Sequence, residues 1–211
     1  MKHPEVLLLP FLMLADYYLT LLAAVAQAKK YSEHFKNELY ELNPVWQEAV
    51  AKRRWINYKH LLLTVVFSAA VIVLVGFAEL PPPIAEAIVG CMLVLFVMLI
   101  ARHVCNIMIF CYIIHHPDHI SGQVTMQHVM ILRISLYHYC VAAVPIVLIA
   151  VFSRNSFAIG GCFAAALLFV WHLKWIRMAQ RTEAVAAINE RRSRGIMPEN
   201  GEDGREEVNV V

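Results

Sequence analysis

The chain has 211 residues, of which 60% are hydrophobic and 16% charged, and its formal net charge is +2 at pH 7. Its mean hydropathy of +0.59 lies outside the range of water-soluble globular domains, so a soluble fold is excluded. Nothing in the sequence supports binding to nucleic acid.

Five apolar stretches are long enough to cross a bilayer, because about 20 helical residues cover the hydrocarbon core. They show no period-two alternation of the kind that barrel strands need, so each stretch is predicted to be a helix. The predicted class is an all-α, polytopic transmembrane bundle over residues 1–178, followed by a cytoplasmic helix extension and disordered tail over residues 179–211. The predicted spans are residues 6–28, 60–78, 84–114, 129–152 and 157–175.

The first span contains two small-residue sequences that resemble signal-peptide cleavage sites, Ala24-Val25-Ala26 and Ala26-Gln27-Ala28. Its apolar run is longer than the apolar region of a typical signal peptide, and Asp16 interrupts it. We therefore expect this segment to stay in the protein as a membrane span.

Between spans one and two lies a charged segment that is predicted to be an amphipathic, cytoplasmic connector. Ser32 is expected to cap a short helix with one apolar face. Asn43 and Pro44 end this helix and suit the start of a second one. The connector is predicted either to lie on the membrane surface or to act as a gate or docking surface. The apolar face consists of Phe35, Leu39 and Leu42.

The distribution of Lys and Arg predicts the orientation of the chain. These residues concentrate in the connector and after span five, whereas the loops on the opposite side carry Arg154 as their single cation. Short cytoplasmic loops carry the excess of Lys and Arg. With five spans, this predicts a bacterial-type inner membrane protein with an external N-terminus and a cytoplasmic C-terminus. The bilayer is thus its first partner, and the basic tail is expected to attract anionic lipid.

Ionisable residues within the spans predict a buried polar centre, because such residues usually face a bundle interior or a water-filled path. Asp16 and Thr20 share one helix face, as do Arg102 and Asn106, since each pair is four residues apart. Asp16 and Arg102 each lie about 12 residues, or near 18 Å, from the connector-side end of their spans, so they are predicted to meet. The predicted centre consists of Asp16, Thr20, Arg102, His103, Asn106, Arg133 and His138.

Three interpretations of Arg102 remain open at this point. Its side chain can snorkel to the headgroups, form a structural ion pair with Asp16, or belong to a proton or ion pathway. His103 favours the pathway, because an imidazole changes its charge near neutral pH.

A histidine-rich segment follows span three and has the residue types that bind metals. Pro117 is expected to break the helix, which makes the segment a loop that is either simply polar or the site of one metal ion. No cofactor is predicted as the leading interpretation, and haem held by two of His103, His138 and His172 is a further alternative. The candidate metal ligands are His115, His116, Asp118 and His119.

Two short motifs carry a resemblance to a known group of proteins. Asp16-Tyr17-Tyr18-Leu19-Thr20 in the first span is followed, after part of the connector, by Glu41-Leu42-Asn43-Pro44. This pattern, within the first quarter of the chain, resembles the signature of small prokaryotic polytopic membrane proteins whose activity is not established. The resemblance implies that Asp16, Thr20, Glu41 and Asn43 line a polar vestibule.

These observations support two main functional hypotheses. The first is transport or permeation of a proton or small solute through the polar centre. The second is a non-catalytic membrane subunit that binds a protein partner or a second copy through residues 32–59 and the tail. A membrane haem or metal protein comes third. The sequence leans against an enzyme, because it contains no phosphate-binding Gly-rich loop, nucleophile elbow or zinc-protease helix motif.

Overall fold

In the computed structural model, residues 2–36, 41, 43 and 45–194 are described. Five of their helices are long and apolar enough to cross a membrane, which confirms the predicted all-α bundle of five spans. The chain is a multi-pass membrane protein. The predicted disordered tail after residue 194 lies outside the described residues.

The elements follow one another with short connections, apart from the connector between the first two spans. In chain order they are a 3-10 helix (Pro4–Leu8), α1 (Leu9–Ala26), a π-helical turn (Gln27–Tyr31), α2 (Ser32–His34), β1 (Phe35–Lys36), α3 (Gln47–Ala51), α4 (Tyr58–Phe77), α5 (Pro82–His115), a 3-10 helix (Pro117–His119), β2 (Val124–Thr125), α6 (His128–Ser153) and α7 (Ser156–Ser193).

The long helix α5 lies at the centre of the bundle. It packs against α1 on one side and α7 on the other, while α6 packs on α7 and α4 packs mainly on α1. A Cβ atom on Gly90 would overlap the carbonyl of Phe157, and one on Gly160 would overlap the carbonyl of Ala87. Small residues of this kind let two membrane helices approach backbone to backbone, so α5 and α7 cross tightly at these glycines.

Local side chains fix the ends of the spans. The Asn57 side chain accepts a hydrogen bond from the backbone N–H of His60 at 3.3 Å and caps α4. The Asn155 Oδ1 atom accepts from the N–H of Phe157 at 2.7 Å and caps α7. Arg154 takes a left-handed conformation, with φ of 51°, which reverses the chain between α6 and α7. Favourable caps of this type explain where the helices begin.

The first half of the connector differs from the predicted helix. Helix α2 has only three residues, and the Ser32 hydroxyl donates back to the carbonyl of Lys29 at 2.8 Å instead of capping the helix that follows. Phe35 stacks on Tyr31, with ring centroids 4.4 Å apart, and pairs in strand β1 with Val124 of β2. The prediction of a helical stripe is therefore wrong at Phe35, while Leu39 and Leu42 lie outside the described residues.

The second half of the connector contains the short helix α3, which starts at Gln47. The Asn43 Oδ1 atom accepts from the N–H of Val45 at 3.1 Å, so Asn43 forms a turn ahead of this helix. The predicted helix start at Asn43 is therefore a few residues too early, because the Asn43 side chain satisfies a turn rather than the first helical N–H groups. Pro44 lies outside the described residues.

Candidate functional site

A cavity of about 370 Å³ lies in the connector-side half of the bundle, among α1, α4, α5, α6 and α7. This volume falls within the range of small-molecule sites in proteins, about 300 to 1,000 Å³. The connector closes one end of it through Glu41, Asn43, Trp46 and Val50. The polar residues that line the cavity on the helices are Asp16, Tyr17, Thr20, His60, Arg102, His103, Tyr139 and His172.

One polar cluster joins α1 to α5. The Thr20 hydroxyl donates to the carbonyl of Asp16 at 2.8 Å, so its oxygen is an acceptor for the His103 Nε2 atom at 3.0 Å. His103 is 2% exposed, and its Nε2 atom also lies 3.4 Å from the Asp16 Oδ1 atom. The hydrogen bond to Thr20 places a proton on Nε2, while the buried Asp16 Oδ1 atom has no hydrogen-bond partner within the part of the chain that the structure describes.

A second cluster joins α5, α6 and α7. The His172 Nδ1 atom donates to the carbonyl of Leu168 at 2.9 Å, which leaves Nε2 of a neutral imidazole to accept from the Ser135 hydroxyl at 3.1 Å. The Ser135 oxygen in turn accepts from the Arg102 Nη1 atom at 2.9 Å. The Arg102 guanidinium also lies 5.7 Å from the centre of the Tyr139 ring, a favourable cation–π distance. Arg102 is thus oriented by α6 directly and by His172 of α7 through Ser135.

Ser135 and His172 have the contact of a nucleophile and its general base, but Ser135 does not face the cavity. A nucleophilic hydroxyl must face its substrate. Ser135 does not line the cavity, whereas Arg102 and His172 do, and the Ser135 oxygen already accepts from Arg102. The hydroxyl therefore links His172 to Arg102 and holds the guanidinium at the cavity wall.

The predicted meeting of Asp16 and Arg102 takes a different form in the structure. Both residues line the cavity, as helix counting predicts. Between described residues, however, Asp16 comes into ion-pair range of His103 and Arg102 donates to Ser135. The Arg102 side chain points inward to α6 and does not snorkel to the headgroups. Two adjacent networks, rather than one direct ion pair, form the polar centre.

Glu41 brings a second carboxylate to the cavity from the connector. The backbone N–H of Asn43 donates to its Oε1 atom at 2.7 Å. Burial raises the pKa of Glu41 to about 7, and the charge of Asp16 adds to this rise, while the Arg102 guanidinium and the Asn43 hydrogen bond oppose it. A carboxyl group in this state changes its charge near neutral pH.

Aromatic side chains hold the connector over the cavity, and we call this group the cap. The Tyr17 ring stacks on His60 at 4.5 Å between centroids, and Trp46 meets the same imidazole edge-on at 5.3 Å. The Tyr17 hydroxyl donates to the carbonyl of Arg54 at 2.7 Å. The cap therefore consists of Tyr17, Trp46 and His60, tied to the segment after α3 by one hydrogen bond.

Three residues of the predicted polar centre do not line the cavity. Arg133 and His138 are exposed on the outer face of α6, so their prediction as members of the centre is corrected. The buried face of α6 carries Leu132, Ser135 and Tyr139 instead. Asn106 is half-buried on α5, one turn beyond Arg102 and outside the cavity lining.

The sequence interpretation missed Ser135 and Tyr139. They lie four residues apart on one face of α6 together with Leu132 and Leu136, and all four are buried. The 3.6-residue period of a helix groups these positions, so this spacing is the signal that identifies them. Searching for ionisable residues alone selects Arg133 and His138 on the opposite face.

The histidine-rich segment lies at the end of α5 and in the loop after it. The His115 Nδ1 atom bonds the carbonyl of Cys111 at 2.7 Å, and the His119 Nδ1 atom bonds the hydroxyl of Tyr112 at 2.9 Å. His115, His116, Asp118 and His119 are all exposed. Within the described part of the chain, no group of three or more His, Cys, Asp and Glu side chains is arranged to hold a metal ion.

The three histidines considered for haem occupy different positions. His103 and His172 line the same cavity, but their Nε2 atoms contact Thr20 and Ser135 respectively. His138 lies on the outer face of α6. The imidazoles inside the bundle are therefore already engaged in the two polar clusters.

Comparison of this chain with protein-family models, with curated proteins and with solved structures finds no match. A fold does not by itself specify a function, which depends on the chemistry of particular sites. The function is therefore inferred from the residues that line the cavity.

Proposed function

We propose that this protein moves a proton or a small solute across the membrane through the cavity. The observation that carries the proposal is the contact between Asp16 and His103, 3.4 Å apart inside a cavity among five spans. Ionisable side chains within spans are costly and mark ion and substrate pathways. The role proposed for Asp16 and His103 is to exchange a proton.

The two ends of the cavity suit a pathway that opens on one side at a time. Toward the N-terminus of α5, the crossing at Gly90 and Gly160 brings two backbones into contact. Toward the connector, the closing contacts are side-chain contacts: the rings of the cap, the packing of Val50 against Tyr17 and Leu21, and one hydrogen bond to the carbonyl of Arg54. Ring contacts break more easily than a backbone crossing, so we assign the moving gate to the cap.

A change in the protonation of His103 provides the switch. In the structure, Nε2 bonds the Thr20 hydroxyl at 3.0 Å and lies 3.4 Å from the Asp16 carboxylate. A second proton on the ring would create a cation beside the Asp16 carboxylate and within the field of Arg102, whereas its loss would restore the neutral contact. Charge changes of this kind can shift the equilibrium of a structural element between two conformations. We place that element at the connector, where Glu41 faces the same cavity.

The orientation and the resemblance belong to the same proposal. The connector and the end of α7 carry most of the basic residues, which supports placing them in the cytoplasm of a cell with an inner membrane. Asp16, Thr20, Glu41 and Asn43 line one cavity, which supports the polar vestibule that the resemblance implies.

Flux through reconstituted protein tests the proposal. The protein is reconstituted into liposomes that contain a pH-sensitive dye. Potassium and valinomycin set a membrane potential that is negative inside, and the dye records proton entry. We expect Asp16→Asn to reduce the flux at least about tenfold, because it removes the carboxylate that pairs with His103. Glu79→Gln is the matched control, since Glu79 is an exposed acid in the loop between α4 and α5. Equal flux in wild type and Asp16→Asn would exclude the role of Asp16.

The rival hypothesis of a non-catalytic subunit predicts a different result. It expects no flux above empty liposomes, together with a partner that is retained through residues 32–59 after mild solubilisation. In the structure, the cavity-facing side of the connector contacts the protein's own helices through Tyr17 and His60. That contact favours the gate over a docking surface.

A further inference from the structure

The cavity has a polar half and an apolar half, arranged along the bundle axis. Nearer the connector lie Asp16, Glu41, Arg102 and His103. One to three helical turns farther from the connector, the lining becomes apolar. The residues of this deeper half are Met13, Phe67, Met92, Leu95, Phe96 and Leu167. A ligand that matches both halves has a polar head and an apolar body.

The cavity also opens sideways, between α4 and α7. Leu63 and Phe67 of α4 and Leu167 and Trp171 of α7 line the cavity, yet they are 36% to 47% exposed. Facing the cavity does not by itself leave this much exposure, because Leu168, another lining residue, is 2% exposed. The four rim residues therefore face the outside of the bundle as well as the cavity.

We propose that the cavity takes a single-chain zwitterionic amphiphile, which enters from the bilayer between α4 and α7. This inference rests on the proposed function and names its substrate class. The polar head lies among Asp16, Glu41 and Arg102, and the chain follows Phe67 and Trp171 outward into the lipid. A ligand on this route never exposes its chain to water, which is the dominant cost of moving apolar surface.

The charges of the polar half specify the head. Asp16 and Glu41 provide carboxylate oxygens, which accept hydrogen bonds from an amine. Arg102 provides a guanidinium, which donates to a phosphate or carboxylate. Aromatic rings of Tyr17, Trp46 and Trp175 add surfaces that attract a cation. An amine and an acid in one head satisfy both sets of partners, whereas a purely anionic or cationic head satisfies one.

The volume limits how much of the ligand is enclosed. About 370 Å³ is at the small end of the range for drug-sized ligands. A head and the first part of one chain fit this space, and the rest of the chain has to pass through the rim. A two-chain lipid would need a second exit, so we assign the site to a single chain.

Photolabelling in liposomes tests the proposal. The probe is lysophosphatidylethanolamine with a diazirine in the middle of its chain, and labelled positions are mapped by peptide mass spectrometry. We expect labelling at the rim on α4 and α7 that falls about tenfold in Arg102→Gln, because the head loses a charge-assisted partner. Labelling of the outer face of α6 reports ordinary lipid contact and should not change. Rim labelling that is no stronger than on α6 and is unaffected by Arg102→Gln would overturn the proposal.

A second pair of variants keeps the test valid if Arg102→Gln does not fold. Leu63→Trp narrows the rim between α4 and α7, whereas Leu62→Trp adds the same ring at a 66% exposed position that does not line the cavity. We expect Leu63→Trp to reduce rim labelling on α7 at least about threefold and Leu62→Trp to leave it unchanged. Equal labelling in both variants would contradict lateral entry.

The combined results separate this inference from the proposed function. Proton flux that depends on Asp16, with labelling that only follows bulk lipid, would retain transport and overturn the amphiphile. Specific labelling without proton flux would retain the amphiphile site and overturn the proton exchange proposed for Asp16 and His103. Competition with glycerophosphoethanolamine, which lacks the chain, adds a control: we expect it to leave the labelling unchanged, and full competition would assign the site to a water-soluble solute.

Discussion

Helices α5 and α7 behave differently in the two halves of the bundle. Near the start of α7 their backbones touch, because Gly90 and Gly160 have no side chains to separate them. Farther toward the connector, Leu99 of α5 and Leu168 of α7 pack in one apolar cluster, and both also line the cavity. One helix pair thus provides both a close crossing and one wall of the candidate site.

The difference shows how a small membrane protein combines rigidity with an open interior. Without a hydrophobic force between helices in lipid, close packing has to supply their association. The glycine crossing supplies it in one half. The other half can then hold a cavity with polar contacts between helices, such as Thr20 with His103 and Ser135 with His172.

The largest loss of stability is expected from a substitution at the glycine crossing of α5 and α7. Gly160→Leu should destabilise the protein by about 3 kcal/mol or more, because even its Cβ atom would overlap the Ala87 backbone. Thermal unfolding in detergent would measure the loss. Ala101→Leu places the same leucine side chain at an exposed position of α5 and should unfold like the wild type. If Gly160→Leu also unfolds like the wild type, the close crossing is wrong.

The next largest effect is expected at the cavity, where Glu41 should make the stability of the protein depend on pH. The pKa of Glu41 rises from its ordinary value of 4.5 to about 7 because burial disfavours the charged form. Between pH 4.5 and about 7, Glu41 is deprotonated in the unfolded chain but keeps its proton in the folded protein. Stability is therefore greatest below pH 4.5 and falls as the pH rises to about 7.

Unfolding midpoints measured between pH 4.5 and 7.5 test this fall. Its upper limit is about 3 kcal/mol, and partial exposure of Glu41 reduces it. Glu41→Gln should remove most of the slope over this window, because an amide does not titrate. Glu79→Gln, at an exposed acid, should retain it. A slope that persists in full in Glu41→Gln would place the titrating group elsewhere.

A smaller effect is expected where the cap closes the open half. Tyr17→Phe removes the hydroxyl that donates to the carbonyl of Arg54 but keeps the ring that stacks on His60. The loss should be about 1 kcal/mol, the typical contribution of one hydrogen bond. If the cap is the gate, the same variant should also increase the rate of flux. Tyr18→Phe is the control, because it removes the hydroxyl of the adjacent tyrosine and leaves the hydrogen bond from Tyr17 to Arg54 in place. A flux equal to the wild type in Tyr17→Phe would argue against a gate at the cap.

Most of the fold follows from hydropathy, because a span needs a long apolar run and its backbone can be satisfied in lipid by a helix. The predicted spans match the long helices to within a few residues at most ends, while α7 runs on to Ser193. The connector was less predictable. Phe35 lies in a strand because it meets Val124, which is distant in sequence, and no local pattern encodes such a pair.

The candidate site could be predicted in part. The spacing of Asp16, Thr20, Arg102 and His103 along their helices places them at one depth, and all four line the cavity. Their partners depend on how each helix is rotated about its axis, which a count of residues does not determine. Rotation brings Ser135 of α6 to Arg102 and turns Arg133 outward.

That rotation of α6 leads to the smallest expected effect. Arg133 and His138 are exposed on the face of α6 that points away from the cavity, so Arg133→Gln and His138→Gln should each change stability by less than about 0.5 kcal/mol. Neither should alter proton flux. Ser135→Ala, on the opposite face of the same helix, is the informative comparison, because it removes the oxygen that orients Arg102 and the donor to His172. Reduced flux in His138→Gln with normal flux in Ser135→Ala would mean that α6 is rotated by about half a turn from the position described, and the polar centre would have to be rebuilt around its other face.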